Sequence, residues 1–134
     1  MAETKFWGVD LGVNMLKPPV PDEYKLIPLK FIHSTLLFAM PRNKSKEKML
    51  APLENLTCDV YILGYRYSKS AAIMIVEKIV AENTDEIIPS FSNFQHITLA
   101  LREGFKAKDS VKLTSRSHTY QYNMLIKGCI RRYV

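Results

Sequence analysis

Two eight-residue segments of the chain carry the same pattern of side chains. Phe31–Phe38 reads FIHSTLLF and Phe94–Leu101 reads FQHITLAL, so both contain Phe-x-His-x-Thr-Leu. Both segments are short and apolar and rich in aromatic and branched residues, which is typical of β-strands. Because alternate side chains of a strand share one face, the pattern places a histidine and a threonine side by side twice.

The same alternation predicts which side chains of the two segments face the core. The expected core residues are Ile32, Leu36 and Phe38 in the first copy, and Ile97, Leu99 and Leu101 in the second. The opposite faces are then expected to carry Phe31, His33, Thr35 and Leu37 in the first copy, and Phe94, His96, Thr98 and Ala100 in the second.

The repetition is unlikely to arise by chance. The chain has three histidines and seven threonines among 134 residues, so the chance that some pair of histidines shares Thr at +2 is about 3 × (7/134)², under one in a hundred. His118 is followed directly by Thr119 and lacks the pattern. A single strand histidine is more often a structural residue, but the pair favours a functional interpretation.

Paired histidines and hydroxyls suit phosphoryl transfer between oxygens. One neutral imidazole can take a proton from water or a ribose hydroxyl, and the other, as imidazolium, can protonate the departing oxygen. The ordinary pKa of histidine lies near neutrality, which suits both tasks. Each threonine hydroxyl can donate to a non-bridging phosphate oxygen. Two histidines without a carboxylate or thiol motif nearby make a poor zinc site, so we expect no metal and no cofactor.

The rest of the chain predicts one α+β domain, residues 1–134, with mainly antiparallel strands. Strand-like runs occupy Lys5–Val13, Thr57–Tyr67 and the C-terminal region around Gly128. The segment AAIMIVEKI after Ser70 fits an antiparallel partner or a helix. Helix formers follow Pro41, but Pro52 limits their length.

Charge and composition indicate the class of partner. Residues 1–100 carry 11 Lys/Arg and 11 Asp/Glu, whereas residues 101–134 carry 8 and 2, which accounts for the net charge of +6. This basic region predicts a polyanionic partner, although a solvated basic tail explains it equally well. No signal peptide or membrane span is visible and Cys58 and Cys129 are isolated, so we expect a monomer in cytosol or nucleus.

The two His-x-Thr motifs, half a domain apart, resemble those of the 2H phosphoesterase superfamily (LigT-like enzymes). The stretch HITLALREGFKAKDSVKL is especially similar to the second-motif region of cyclic phosphodiesterase domains in tRNA ligases. The resemblance implies a two-lobed, pseudo-symmetric α+β fold with one motif per lobe lining a central groove. It also implies that His33 and His96 are the acid/base pair and that Thr35 and Thr98 bind phosphate.

The resemblance further implies a phosphodiesterase that cleaves a ribose 2′- or 3′-linked phosphodiester. Compact stand-alone members, several of them viral, destroy signalling nucleotides such as 2′,3′-cGAMP and 2′-5′ oligoadenylates. The absence of a fused repair domain favours such a substrate, and hence an immune-evasion nuclease in a host cytosol. The alternatives are a 2′,3′-cyclic phosphodiesterase acting on RNA ends, and a module that binds RNA or a nucleotide without cutting it.

Further residues are candidates for binding the rest of a nucleotide substrate. Trp7, Tyr65 and Tyr67 could stack on a base, although strand aromatics more often pack in a core. The cations that follow the second motif, Arg102, Lys106 and Lys108, could reach a second phosphate.

Overall fold

The computed structural model describes residues 3–17, 20–106 and 118–134. The strands of this part of the chain are β1 (Phe6–Val13), β2 (Leu26–Pro28), β3 (Phe31–Phe38), β4 (Thr57–Tyr67), β5 (Ala71–Ala81), β6 (His96–Arg102) and β7 (Tyr120–Tyr133). The helix α1 spans Lys44–Leu50, and short 3₁₀ turns occupy Asp22–Tyr24, Pro41–Asn43 and Ala51–Leu53.

Six of the strands form a closed antiparallel ring. Their order around the ring is β6-β3-β1-β7-β4-β5, and β5 pairs again with β6 to close it. On the side of β6 that faces β3, the short strand β2 pairs with the last residues of β6, for example at Leu26↔Arg102. The closed sheet is therefore a small β-barrel, in which each of the six strands is paired on both sides along part of its length.

The expected two-lobed α+β fold is wrong, because the structure is mainly a barrel with one short helix in the described part of the chain. The helix-forming segment gives only seven residues of α-helix, since Pro41 begins a 3₁₀ turn before it and Pro52 lies in another after it. The ambiguous run after Ser70 is the strand Ala71–Ala81, which pairs with β4 on one side and β6 on the other. That double pairing closes the ring.

Several predicted strands are confirmed, among them the first strand, now Phe6–Val13, and the strand Thr57–Tyr67. The C-terminal region, expected to form one or two strands around Gly128, is one long strand. The main core lies inside the barrel and includes the fully buried residues Val9, Leu36, Val60, Ile97 and Ile130. No helix in the described ranges is long and apolar enough to cross a membrane.

Each motif strand contains a β-bulge one residue after its threonine. Trp7 pairs with Leu37 and Gly8 with Thr35, so Leu36 is the extra residue of β3. In β6, Ala72 pairs with Ala100 and Ile73 with Thr98, so Leu99 is the extra residue. A bulge reverses the alternation of faces beyond it.

The reversal corrects the expected faces at the ends of both segments. Leu37 and Ala100, expected on the histidine faces, belong to the main core instead. Phe38, expected in the core, is 62% exposed, and Leu101 packs on a separate small cluster of Ala71, Ile73 and Ile75. The regular alternation of side chains in the sequence could not show this, because one extra residue moves every later side chain to the other face of the strand.

Candidate active site

The ring brings the two repeated motifs together on adjacent antiparallel strands. Ser34 of β3 lies opposite Ile97 of β6. With this register, His33 lies beside Thr98, and Thr35 lies beside His96. On adjacent strands, directly opposed Cβ atoms are about 4.5–5.5 Å apart and diagonal neighbours about 7–8 Å apart. The two histidines are diagonal neighbours, which leaves a gap between their imidazoles.

The four motif side chains share the face that points away from the main core. Their neighbours in sequence, Ile32, Ser34, Leu36, Ile97 and Leu99, are buried. The histidines and threonines themselves are partly exposed. The site is thus a surface of two imidazoles and two hydroxyls that a ligand can reach.

A buried polar network ties the two motif strands together. Ser34, which is fully buried, donates its hydroxyl proton to the carbonyl oxygen of His96 at 2.9 Å. The side-chain amide of Gln95 donates to the carbonyl oxygen of Thr35 at 2.7 Å and also contacts the Ser34 hydroxyl. Each motif backbone is therefore held by a side chain from the other strand.

Replacing Ser34 with alanine is expected to destabilise the fold by about 1–3 kcal/mol, because the Gln95 amide and the His96 carbonyl lose a buried partner. We expect a several-fold loss of kcat as well, since the two motif strands lose a direct connection. Urea unfolding and steady-state kinetics measure the two effects. Unchanged stability together with unchanged kcat would show that this network does not position the motifs.

His33 lies among aromatic side chains beside a carboxylate. Its ring centroid is 5.1 Å from that of Phe6 and 5.4 Å from that of Tyr133, and these two neighbours stack on each other at 4.3 Å. Asp10 of β1 is its register partner. Burial lowers the pKa of His33 below 6.5, the carboxylate of Asp10 raises it in part, and the positive charge of His96 lowers it again. The neutral imidazole is the favoured form at neutral pH.

His96 is oriented by its own backbone. Its Nδ1 lies 3.0 Å from the carbonyl oxygen of Phe94. A carbonyl oxygen only accepts, so Nδ1 carries the proton and Nε2 is left for another partner. The ring of Phe94 lies 6.3 Å from that of His96, and the guanidinium of Arg66 lies 5.1 Å over Phe94. Arg66 also donates from Nε to the hydroxyl of Thr119 at 2.7 Å.

The structure places the predicted aromatic residues away from the motif pair. Trp7 is 2% exposed in the main core and donates its indole N–H to Glu47 at 3.0 Å. Tyr65 is 8% exposed, and Tyr67 lies with Tyr120 near the end of the β4–β5 hairpin. The rings beside the histidines are those of Phe6, Tyr133 and Phe94 instead.

One of the three predicted cations, Arg102, also lies away from the motif pair. Arg102 follows the bulge of β6, so its side chain lies on the opposite face from Thr98 and lines a depression with Tyr24 and Lys69. Lys106 is exposed beyond the end of β6. Lys108 lies outside the described residues.

Sequence reasoning missed Ser34, Gln95, Asp10 and Arg66 as parts of the site. The place of Phe94 beside His96 did have a signal in the sequence, because phenylalanine precedes the histidine by two residues in both copies. Asp10 has no such signal, since only the pairing of β1 with β3 brings it to His33. Within the described ranges, no three His, Cys, Asp or Glu side chains group closely enough to hold a metal ion.

Comparisons with known proteins show a shared fold. No family model and no curated protein sequence matches the chain. Among solved structures, the crystal structure of a fungal RNA kinase matches with a TM-score of 0.64 and 11% sequence identity, covering 99% of this chain and 46% of that one. The chain therefore spans less than half the length of that protein and has the fold of part of it.

Proposed function

We propose that this protein is a metal-independent phosphodiesterase that cleaves a ribose 2′- or 3′-linked phosphodiester. The observation that carries the proposal is the register of β3 and β6, which sets two imidazoles and two hydroxyls around one gap. The repeated frame in the sequence supports it, because a module that only binds has no need of paired histidines. The resemblance of the motifs to those of 2H phosphoesterases supports the same reaction.

The proposed reaction is an in-line displacement at phosphorus. His33 takes the proton from the attacking water or ribose hydroxyl, whose oxygen forms a new bond to phosphorus. The bond from phosphorus to the leaving oxygen breaks, and protonated His96 gives its proton to that oxygen. Thr35 and Thr98 donate hydrogen bonds to the non-bridging oxygens as negative charge grows on them.

The surroundings of the two rings support this division of roles. A base must be neutral, and the lowered pKa of His33 keeps it so. An acid must present its proton to the leaving oxygen, and the hydrogen bond from Nδ1 of His96 to the carbonyl oxygen of Phe94 leaves Nε2 for that task. The carboxylate of Asp10 then stabilises the charge that His33 gains during the reaction.

Aromatic rings on both sides of the pair support a nucleotide substrate. Phe6 and Tyr133 lie beside His33, and Phe94 lies beside His96 under the guanidinium of Arg66. Such rings can stack on a base at either side of a bound phosphate. A small signalling nucleotide, such as a cyclic dinucleotide or a 2′-5′ oligoadenylate, would place a base near each set of rings.

A second candidate is processing of RNA ends that carry a 2′,3′-cyclic phosphate. The fold likeness to a fungal RNA kinase favours RNA as the substrate class, since that protein is named for RNA. The motif pair would perform the same displacement, with water as the nucleophile. The two candidates differ only in the molecule that is cut.

Incubation with a panel of nucleotides tests the proposal. The panel contains 2′,3′-cGAMP, 3′,3′ cyclic dinucleotides, 2′-5′ oligoadenylate and RNA with a terminal 2′,3′-cyclic phosphate. We expect turnover of at least one member in the presence of EDTA, and the product ends identify the nucleophile. A linear monophosphate means that water attacked, and a cyclic phosphate means that a ribose hydroxyl did. Activity that EDTA abolishes, or binding without turnover of any member, would contradict the proposal.

The pH dependence of kcat/KM is expected to be bell-shaped. Activity falls on the acidic side as His33 gains a proton, and its lowered pKa puts that fall below pH 6.5. Replacing Asp10 with asparagine removes the charge that raises this pKa, so the acidic limb should move to still lower pH. Rate measurements between pH 4.5 and 9 follow both limbs. A profile that stays flat over this range would exclude the acid/base pair.

A further inference from the structure

A second surface of the barrel combines positive charge with aromatic rings. At the end of β6 opposite His96, a depression of about 480 Å³ is lined by Glu23, Tyr24, Lys69 and Arg102. Lys69 belongs to the turn between β4 and β5, and Tyr24 to the 3₁₀ turn before β2. Its volume lies within the range of about 300–1,000 Å³ that is usual for small-molecule sites.

The two cations of this depression have no ion pair among the residues that the structure describes. The salt bridges in the described part of the chain involve Lys127 and Arg131, which lie on β7 and do not line the depression. Glu23 lines the same depression, and none of the ion pairs among the described residues joins it to Lys69 or Arg102. The bulge at Leu99 directs Arg102 here and away from the motif face. Two unpaired positive charges at the rim of one depression favour an anionic ligand.

Tyr24 belongs to a preformed group of rings. Its centroid lies 5.8 Å from that of Tyr67, which is parallel to Tyr120 within 10° at 5.3 Å. The hydroxyls of Tyr67 and Tyr120 share a hydrogen bond of 3.3 Å. Tyr65 stacks on Tyr120 from the core side at 5.1 Å. The ring of Tyr24 therefore packs at the edge of this group, beside the depression.

The depression is separate from the motif pair. Arg102 lies six positions after His96 on β6, which corresponds to about 20 Å along the strand. The two side chains also lie on opposite faces. A single dinucleotide bound at the motif pair does not reach this far, whereas a strand of several nucleotides does.

We propose that this depression binds one nucleotide of a single-stranded RNA, outside the motif pair. Tyr24 stacks on the base, Lys69 and Arg102 bind the phosphates that flank it, and Glu23 accepts a hydrogen bond from a ribose hydroxyl. The combination of a ring with two cations matches the way single strands are held. An acidic peptide would form ion pairs with Lys69 and Arg102 but would leave the ring of Tyr24 without a role. The site does not depend on the proposed catalysis.

The test measures binding of a fluorescein-labelled 12-nucleotide single-stranded RNA by anisotropy. The His96→Ala chain serves as the parent, so that no cleavage interferes, and circular dichroism verifies its fold. We expect Lys69→Ala/Arg102→Ala to weaken binding at least tenfold at 100 mM salt. The slope of log K against log[salt] should fall by about 1.4, the value for two phosphate contacts on a single strand. Tyr24→Ala should weaken binding about 5- to 100-fold.

A matched control removes the same charge elsewhere. Lys48→Ala/Lys78→Ala, at two exposed positions on α1 and β5, should change affinity less than threefold. Equal losses in the two double variants would overturn the proposal, because binding would then depend on net charge alone. An unaffected Tyr24→Ala chain, or equally tight Tyr24-dependent binding of a polyglutamate peptide, would also overturn it. In the chain that retains His33 and His96, Lys69→Ala/Arg102→Ala should cleave a small dinucleotide substrate at the same rate as the unsubstituted chain. This result separates the RNA-binding proposal from the catalytic one.

Discussion

Alanine at His33 or His96 is expected to lower kcat by about 10³-fold on whichever nucleotide the protein cleaves. The expectation follows from the separate tasks of the two imidazoles, since a positioned acid or base contributes about 10²–10⁴-fold. The double variant should lose little more than either single variant, because groups that act in one step are not additive. Single-turnover assays with a small dinucleotide measure the chemical step directly.

Three other variants calibrate that result. His118→Ala should keep full activity, since its ring contacts Tyr120 at the far end of β7 and not the motif pair. Thr35→Val and Thr98→Val should lose less than the histidine variants, on the order of 10²-fold, the effect of removing one donor to a developing negative charge. If the histidine variants retain more than a tenth of the parent kcat, the motif pair is not the catalytic centre.

Gly64→Ala is expected to destabilise the barrel by about 3 kcal/mol and to lower Tm by about 10 °C. Gly64 lies on β4 against the first residues of β7, where a Cβ would overlap the carbonyl oxygen of Tyr120 and lie 3.1 Å from Thr119 Cγ2. A backbone carbonyl in a paired strand cannot move aside without breaking the pairing. Urea unfolding and differential scanning calorimetry measure the loss.

The neighbouring Leu63→Ala is the control for Gly64→Ala. Leu63 is 41% exposed at the irregularity between Ile62 and Gly64, so its truncation should cost less than 1 kcal/mol. A Gly64→Ala chain as stable as the parent would mean that β4 and β7 lie farther apart here than the structure shows.

The strands themselves could be predicted from local pattern, whereas the closure of the sheet could not. Thr57–Tyr67 and Ala71–Ala81 carry the branched and aromatic residues that strands favour. Ala71–Ala81 is buried almost throughout because its residues pack in the main core and in the small second cluster, and a continuous apolar run fits a buried helix equally well. The closed ring depends on pairings between distant parts of the chain, such as β3 with β6 and β1 with β7, which local pattern does not show.

The prediction that His33 and His96 act together, which was made from the repeated frame, remains a proposal until kinetics test it. The sequence could not predict the relative orientation of the two side chains, because it depends on the register of β3 and β6, whose paired residues Ser34 and Ile97 are 63 positions apart. It also could not show the bulges at Leu36 and Leu99, each of which is one extra residue relative to a partner strand. For this reason Arg102, close to His96 in sequence, belongs to a different surface.

The narrow contact between β3 and β6 has a consequence for thermal behaviour. These strands are register partners at Ser34↔Ile97, whereas β4 and β5 pair along most of their length. The imidazoles therefore lie across the junction of the ring that has the fewest paired residues, and a small local opening there would part them while the remaining strands stay paired. Under the proposed catalysis, we therefore expect turnover to fall on warming before the far-ultraviolet circular dichroism signal changes.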